Sequence, residues 1–529
     1  MTSPTKIITR VGAAALAAAT LTACIPAIGE NGAQEAVPPG ATGECPAVKA
    51  PGDSAHRQLR AMWIATVGGA DWPKPGDRGS KERQQASFRR LLDTAKAMNL
   101  NAVVVQIRPN SDAFYDSPYE PWSQWITGKA GKDPGYDVLG FMLAEAHKRN
   151  LEFHAWFNPY RISRQADLNK LPADSPARRH PEWVRKYGTG LWYDPGVPQV
   201  RELATNAVMD VVRKYDIDAV HFDDYFYPYP EGGRYPDQAT YKAYGNGKSL
   251  AEWRRGNVDS LVRTLSQKIH QAKPWVRFGI SPFGVWRNRT SDPAGSDTRA
   301  LQSYDDQYAD TRKWVKEGWV DYITPQLYWS MNDPRASYTT LVRWWSDQVE
   351  DTGVQLTIGQ AAYRVGTDAA WRDPAELSRH LTFNKRYPQV RGDVYFSASS
   401  LAANTRGFAQ KLRDDHYRRP AIPPVAKGAD GRAPTPVGDV SATAEGGGKG
   451  VRVQWRPSQG STAYAVYRVA GRKPACAPVD AGALIATVRG GGVIDPGARR
   501  GQTYTYYVTA LDRTHRESAP ARGATVTGG

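Results

Sequence analysis

Cysteine is almost absent from this sequence: Cys24, Cys45 and Cys476 are the only three among 529 residues. So few thiols exclude a thiolate metal cluster. Long apolar runs are lacking too, and beyond the first two dozen residues no stretch approaches the roughly 20 apolar residues that a membrane-spanning helix needs. No Gly-x-Gly-x-x-Gly turn follows the first buried strand, where Gly68-Gly69-Ala70-Asp71-Trp72 stands instead, which argues against an open dinucleotide-binding sheet. His-x-His and His-x-x-x-His pairs are missing, so neither a metal nor another cofactor is expected. The formal net charge is +16, but the basic residues are scattered rather than gathered into arms or stripes, and nucleic acid is not the expected partner.

The N-terminus carries processing signals. Lys6 and Arg10 precede the apolar run VGAAALAAATL, too short to span a bilayer and typical of a secretory leader. It closes with Leu21-Thr22-Ala23-Cys24, which resembles the bacterial lipobox, whose cysteine sulfur takes a diacylglyceryl group. The expectation is a signal peptide over 1–24, lipidation at Cys24 and a Pro/Gly/Ala-rich tether over 25–55. The chain would then be anchored in the cell envelope, on the outer face of the cytoplasmic membrane. For such a protein the positive charge suits anionic wall polymers or lipid head groups. Export permits a disulfide between Cys45 and Cys476, but their separation in sequence leaves the pairing open.

Between Arg60 and Leu401 eight apolar runs of strand length recur: RAMWIATV, AVVVQIRP, EFHAWFNP, DAVHFDDY, RFGISPFG, DYITPQLYW, QLTIGQAAYRV and DVYFSASSL. Segments with apolar residues at helical spacing, such as KERQQASFRRLLDTAKAMNL, separate them. Near-continuous apolar strands alternating with helices predict a parallel sheet covered on both faces, and eight such units predict a (β/α)8 TIM barrel over 56–418. A Pro/Gly-rich linker over 419–436 leads to short alternating strands over 437–529, among them VRVQW, AYAVYRV and TYTYYVTALD. These predict a small all-β sandwich resembling a fibronectin type III module, an immunoglobulin-like fold.

Active sites of such barrels form at the C-terminal ends of the strands. There the sequence places polar groups and aromatic plates, as a sugar requires: Trp63, Arg108, Asn158, Arg161, Tyr225, Trp286, Gln326, Tyr328 and Trp329 are the expected saccharide-binding residues. The fourth strand ends in adjacent acids. Its alternation turns Val220 and Phe222 toward the helices, so His221 and Asp223 point into the barrel and Asp224 sits on the rim. Asp223 and Asp224 are the expected catalytic residues. Three chemistries compete: a metal site through His221, unsupported by other histidines; a two-carboxylate glycosidase; and hydrolysis assisted by the substrate's own 2-acetamido group. The second needs a partner carboxylate, but the seventh strand ends in Gln360, Tyr363 and Arg364. Asp71, Asp112, Asp116, Glu120, Asp292 and Asp333 are the loop candidates for that role. The third needs only adjacent acids, with Tyr328 placed to help hold the acetamido group. An inert glycan receptor using the same groove is the alternative from another class.

The strand tails, in order, resemble the bacterial glycosyl hydrolase-like family 10, which includes envelope lipoproteins of the divisome-localised glycosyl hydrolase type. The matching pieces are Arg60 to Val67, Val105 to Pro109, His154 to Arg161, His221 to Pro228, Ser281 to Asn288 and Pro325 to Trp329. The resemblance implies a (β/α)8 barrel that cleaves glycosidic bonds in peptidoglycan glycan strands. The appended sandwich departs from the shortest members.

Overall fold

The computed structural model describes Cys45, Ala47, Val48 and residues 56–230, 233–428, 431–477 and 479–529. The expected leader, Cys24 and most of the tether fall outside these residues.

Eight parallel strands close into a barrel: β1 (Leu59–Ile64), β2 (Ala102–Arg108), β3 (Glu152–Phe157), β4 (Ala219–Phe222), β5 (Arg277–Ile280), β6 (Tyr322–Ile323), β7 (Gln355–Gln360) and β8 (Val390–Tyr395). Each pairs with its neighbours in sequence order, and β8 returns to β1, with Leu59 opposite Gly392. The strands coincide with the eight runs quoted above. Every residue of β2 and β3 is buried, because helices cover the outer face and side chains fill the axis. The helix Leu250–Ala272 shows how the cover is made. Ser249 and Glu252 form a reciprocal capping box at its start, and Val258, Leu261, Val262, Leu265 and Ile269 form a buried stripe against the sheet.

Register sets what meets inside. Trp156 of β3 lies beside His221 of β4, which lies beside Gly279 of β5. A Cβ on Gly279 would fall on the Tyr322 ring, so the glycine clears space for an aromatic side chain at the axis. After β3 an inserted sheet of Arg161–Ser163, Gly190–Tyr193 and Val184–Tyr187 builds up one side of the mouth.

The C-terminal part is a sandwich. One sheet holds β9 (Gly438–Glu445), β10 (Gly450–Arg456) and β13 (Gly492–Asp495). The other holds β12 (Leu484–Val488), β11 (Ala463–Ala470), β14 (Thr503–Leu511) and β15 (Ala524–Thr527). Val451, Val453, Trp455, Val466, Tyr506 and Val508 form its core. The sandwich docks on the barrel's base, at the N-terminal ends of the strands and opposite the mouth. His515 meets Glu152 at 2.6 Å, Arg513 meets Asp216 at 2.9 Å, and Arg57, just before β1, meets Glu517 at 2.8 Å. The stretch after Arg419 crosses the same base, where Gln58 N donates to Ile422 O at 3.0 Å. Cys45 and Cys476 are joined in a disulfide, which ties the start of the described chain to the sandwich.

Candidate active site

Asp223 and Asp224 follow the last residue of β4, each only 5% exposed. Both carboxylates are held from several directions. Asp223 Oδ2 accepts from Trp156 Nε1 at 3.1 Å and from Asn158 Nδ2, and its Oδ1 accepts from the Tyr225 backbone N–H at 3.0 Å. Asp224 Oδ1 accepts from Gln326 Nε2 at 3.0 Å, its Oδ2 accepts from the Tyr229 hydroxyl, and its backbone carbonyl accepts from Gln307 Nε2 at 2.8 Å. The donors come from the ends of β3, β4 and β6 and from the loop after β5, so the barrel's closure itself fixes the pair.

Burial pushes the Asp223 carboxyl up to about 7, and the neighbouring Asp224 charge adds to it, against the pull of Arg161. Burial also raises Asp224, opposed by its hydrogen bonds from Tyr229 and Gln326. Two acids that resist joint ionisation keep one proton between them near neutrality, the condition for a general acid beside a carboxylate.

Beneath the pair runs a polar column along the barrel axis. Trp63 Nε1 lies 3.3 Å from His221 Nε2, His221 Nδ1 lies 2.9 Å from the Tyr322 hydroxyl, and that hydroxyl lies 2.9 Å from His154 Nδ1. His154 Nε2 lies 3.3 Å from Glu152 Oε2, and Glu152 also binds Arg277 and His515. An indole N–H can only donate, so His221 accepts at Nε2. Burial holds both imidazoles below their ordinary range, His221 well below it, which makes them neutral. His221 Nδ1–H therefore donates to the Tyr322 hydroxyl, while His154 Nε2 lies between Glu152 Oε2 and the Arg277 guanidinium, which is 3.2 Å away. His221 is hydrogen-bonded to Trp63, Tyr322 and Ser281 and to neither aspartate, so it belongs to the column rather than to the acid pair. Among the described residues no three His, Cys, Asp or Glu side chains converge as metal ligands.

The residues expected to bind sugar divide into two groups. Tyr225, Tyr328, Trp329 and Arg161 are half-buried at the mouth, with Arg161 4.7 Å over the Tyr225 ring. Linked ring contacts run from Tyr225 through Tyr229 and Phe283 to Trp329, and from Phe396 through Tyr328 to Tyr363, which is 47% exposed. No described residue hydrogen-bonds the Tyr328 hydroxyl, which senses the charge of both aspartates. Asn158 and Gln326 reach the acids but hold them, as described, rather than facing open space.

Three others are not brought to the mouth. Trp63 is buried in the column. Arg108 is 1% exposed and clamped by Glu120 and by the Asn158 carbonyl, an ion pair that braces the loop after β2. Trp286 turns into the protein, where its Nε1 donates to Asp310 at 3.0 Å and its ring stacks on Trp344. An aromatic residue after a strand end can pack as easily as it can project.

Four of the six loop carboxylates considered as partners are engaged elsewhere. Asp71 accepts from Ser397 Oγ and from the Ala65 and Ser399 N–H groups, which joins the loops after β1 and β8. Glu120 binds Arg108, Asp292 binds Arg287 and Asp333 binds Arg335. The side chain of Asp116 is exposed, and Asp112 lines a separate cavity between the loops after β2 and β3. Sequence reasoning missed Trp156 and Tyr229. Strand alternation signals the first, since His154, Trp156 and Asn158 share one inward face.

A closed barrel with paired acids at the strand ends, inside an aromatic mouth, defines a glycosidase-like class of protein. Residues 58–374 match the model of the family described as Glycosyl hydrolase-like 10, and the chain belongs to that family. It is 46% identical over 484 residues to Glycosyl hydrolase YngK of Bacillus subtilis, covering 89% of this chain and 93% of that protein. It is 42% identical over 368 residues to Glycosyl hydrolase DigH of Escherichia coli K12, covering 65% of this chain and 83% of the relative. By this homology it is a glycosyl hydrolase. Among solved structures, an Fn3-like protein from Clostridium thermocellum is similar over 18% of this chain and 96% of its own, at 22% identity and a TM-score of 0.16.

Proposed function

We propose that this chain is an exported, lipid-anchored glycosidase that cleaves peptidoglycan glycan strands, or a related N-acetylated wall polysaccharide, with the substrate's acetamido group as nucleophile. The observation that carries the reading is the adjacent, buried pair Asp223 and Asp224, with four of the six candidate loop carboxylates, Asp71, Glu120, Asp292 and Asp333, held elsewhere. In the first step one aspartic acid gives its proton to the leaving glycosidic oxygen as the C1–O bond breaks. The acetamido carbonyl oxygen closes onto C1, and the other aspartate orients the amide and balances its growing positive charge. Water then opens the oxazolinium ring at C1 and returns a proton to the first carboxylate. The Tyr328 hydroxyl supports the acetamido group, and the aromatic walls stack on sugar faces. The anchoring rests on the lipobox-like segment ending at Cys24.

Incubation with purified, peptide-free glycan strands should release reducing ends. That release should vanish in Asp223→Asn and Asp224→Asn and with strands stripped of N-acetyl groups. Cleavage of the stripped strands would refute the assisted mechanism. Retained activity in both variants would refute the site, and binding without any reducing ends would make the groove a receptor. Cys24→Ser should move the protein from the membrane fraction to the soluble fraction of the producing cell.

A further inference from the structure

Beside the mouth, between the loops after β2 and β3, lies a separate cavity of about 190 Å³. Trp122 and Trp125 form part of its lining, Ile162 and Pro172 add apolar surface, and the exposed Arg164 stands at its edge. Two of its polar atoms are buried without a partner among the described residues: the acceptor Asn110 Oδ1, on a residue 6% exposed, and the donor Trp125 Nε1. Buried polar atoms normally find a partner, because leaving one without a hydrogen bond is costly. Indole plates flanked by polar groups are what a pyranose meets, through its C–H face and its hydroxyl or acetamido edge.

The cavity is tied to the acids through a few contacts. Ser111, in its wall, hydrogen-bonds Glu120 at 3.0 Å. Glu120 holds Arg108, Arg108 holds the Asn158 carbonyl, and Asn158 donates to Asp223. On the other wall, Ile162 directly follows Arg161, which covers Tyr225 at the mouth. The cavity thus borders the mouth on its β2–β3 side.

We infer that the cavity is a distal saccharide subsite, which takes one hexosamine unit of a long glycan away from the bond being cleaved and makes the enzyme favour long strands. This rests on the glycosidase reading above and adds a prediction which that reading does not make. Trp122→Ala and Asn110→Ala should raise KM for long peptide-free strands about tenfold, the loss of one good stacking or hydrogen-bonding contact. They should leave kcat, and cleavage of the shortest oligosaccharides the enzyme accepts, unchanged. Arg164→Ala, on the surface, serves as the second variant where a buried change lowers the melting temperature. An unchanged KM for long strands in all three variants would overturn the inference, and so would an equal loss on short and long substrates. If the wild-type protein cleaves no strand, the hydrolase reading fails alone. Binding of the same long strands, followed by tryptophan fluorescence, then decides the subsite: a tenfold weaker dissociation constant in Trp122→Ala supports it, and no change overturns it.

Discussion

His515 of the sandwich places its Nε2 2.6 Å from Glu152 Oε1 at the foot of β3, although 363 residues separate them. Glu152 thereby joins two domains and closes the lower end of the axial column. Its carboxyl lies well below the ordinary range of 4.5 because Arg277 and then His515 outweigh the burial that opposes them. A depressed carboxyl contributes stability that is present above its unfolded value and lost as pH falls through the folded one.

Glu152→Gln should therefore destabilise the protein by about 3 kcal/mol near neutral pH, because it strands the buried Arg277 guanidinium. Urea unfolding measures this, and the difference from wild type should shrink as pH falls below 4.5. A constant difference across that range would contradict the assignment.

Activity should follow the shared proton at the mouth. With Asp223 pushed up to about 7, kcat/KM should decline as pH rises through that value. Tyr229→Phe removes a donor that favours ionised Asp224, so Asp224 should titrate higher, and the acidic limb of the profile should move up with it. An unmoved acidic limb would detach Asp224 from the reaction.

The same elevation carries a stability cost. A carboxyl whose folded-state value is raised destabilises the fold increasingly as pH rises from 3.8 toward about 7. Asp223→Asn should abolish cleavage by at least about a hundredfold and raise stability at pH 8 by about 2 kcal/mol. Paired kinetic and thermal-melting measurements check both halves, and a lower melting temperature would show that the carboxylate stabilises the fold.

Cys476→Ser should cost about 2–4 kcal/mol, since the lost cross-link closes a very long loop in the unfolded chain. It should leave kcat intact, because the sandwich sits at the end of the barrel away from the acids. Denaturation with and without reductant should reproduce the difference in the wild-type protein.

The barrel was legible because its strands are buried on both faces and so read as unbroken apolar runs, each with a polar tail at the catalytic end. The tail DDYFYPYP located the acids for the same reason. What a tail residue does there was not legible. Arg108 and Glu120 are both close to the β2 end, and nothing in their spacing says that they neutralise each other instead of meeting substrate. Trp286 stacks on Trp344, 58 positions later, a partner visible only once the loop after β5 packs on the helix Tyr338–Val349. The disulfide and the Glu152–His515 contact join positions hundreds of residues apart, which depends on where the sandwich docks. Trp156 was within reach of simple alternation from His154.

The bond between Cys45 and Cys476 turns the chain from a line into a ring with two short ends. A protease that nicks any loop inside that ring, whether at the glycan-facing rim or in the segment leading to the sandwich, opens the ring without dividing the molecule. The two clipped pieces stay joined through that one bond until a reductant parts them.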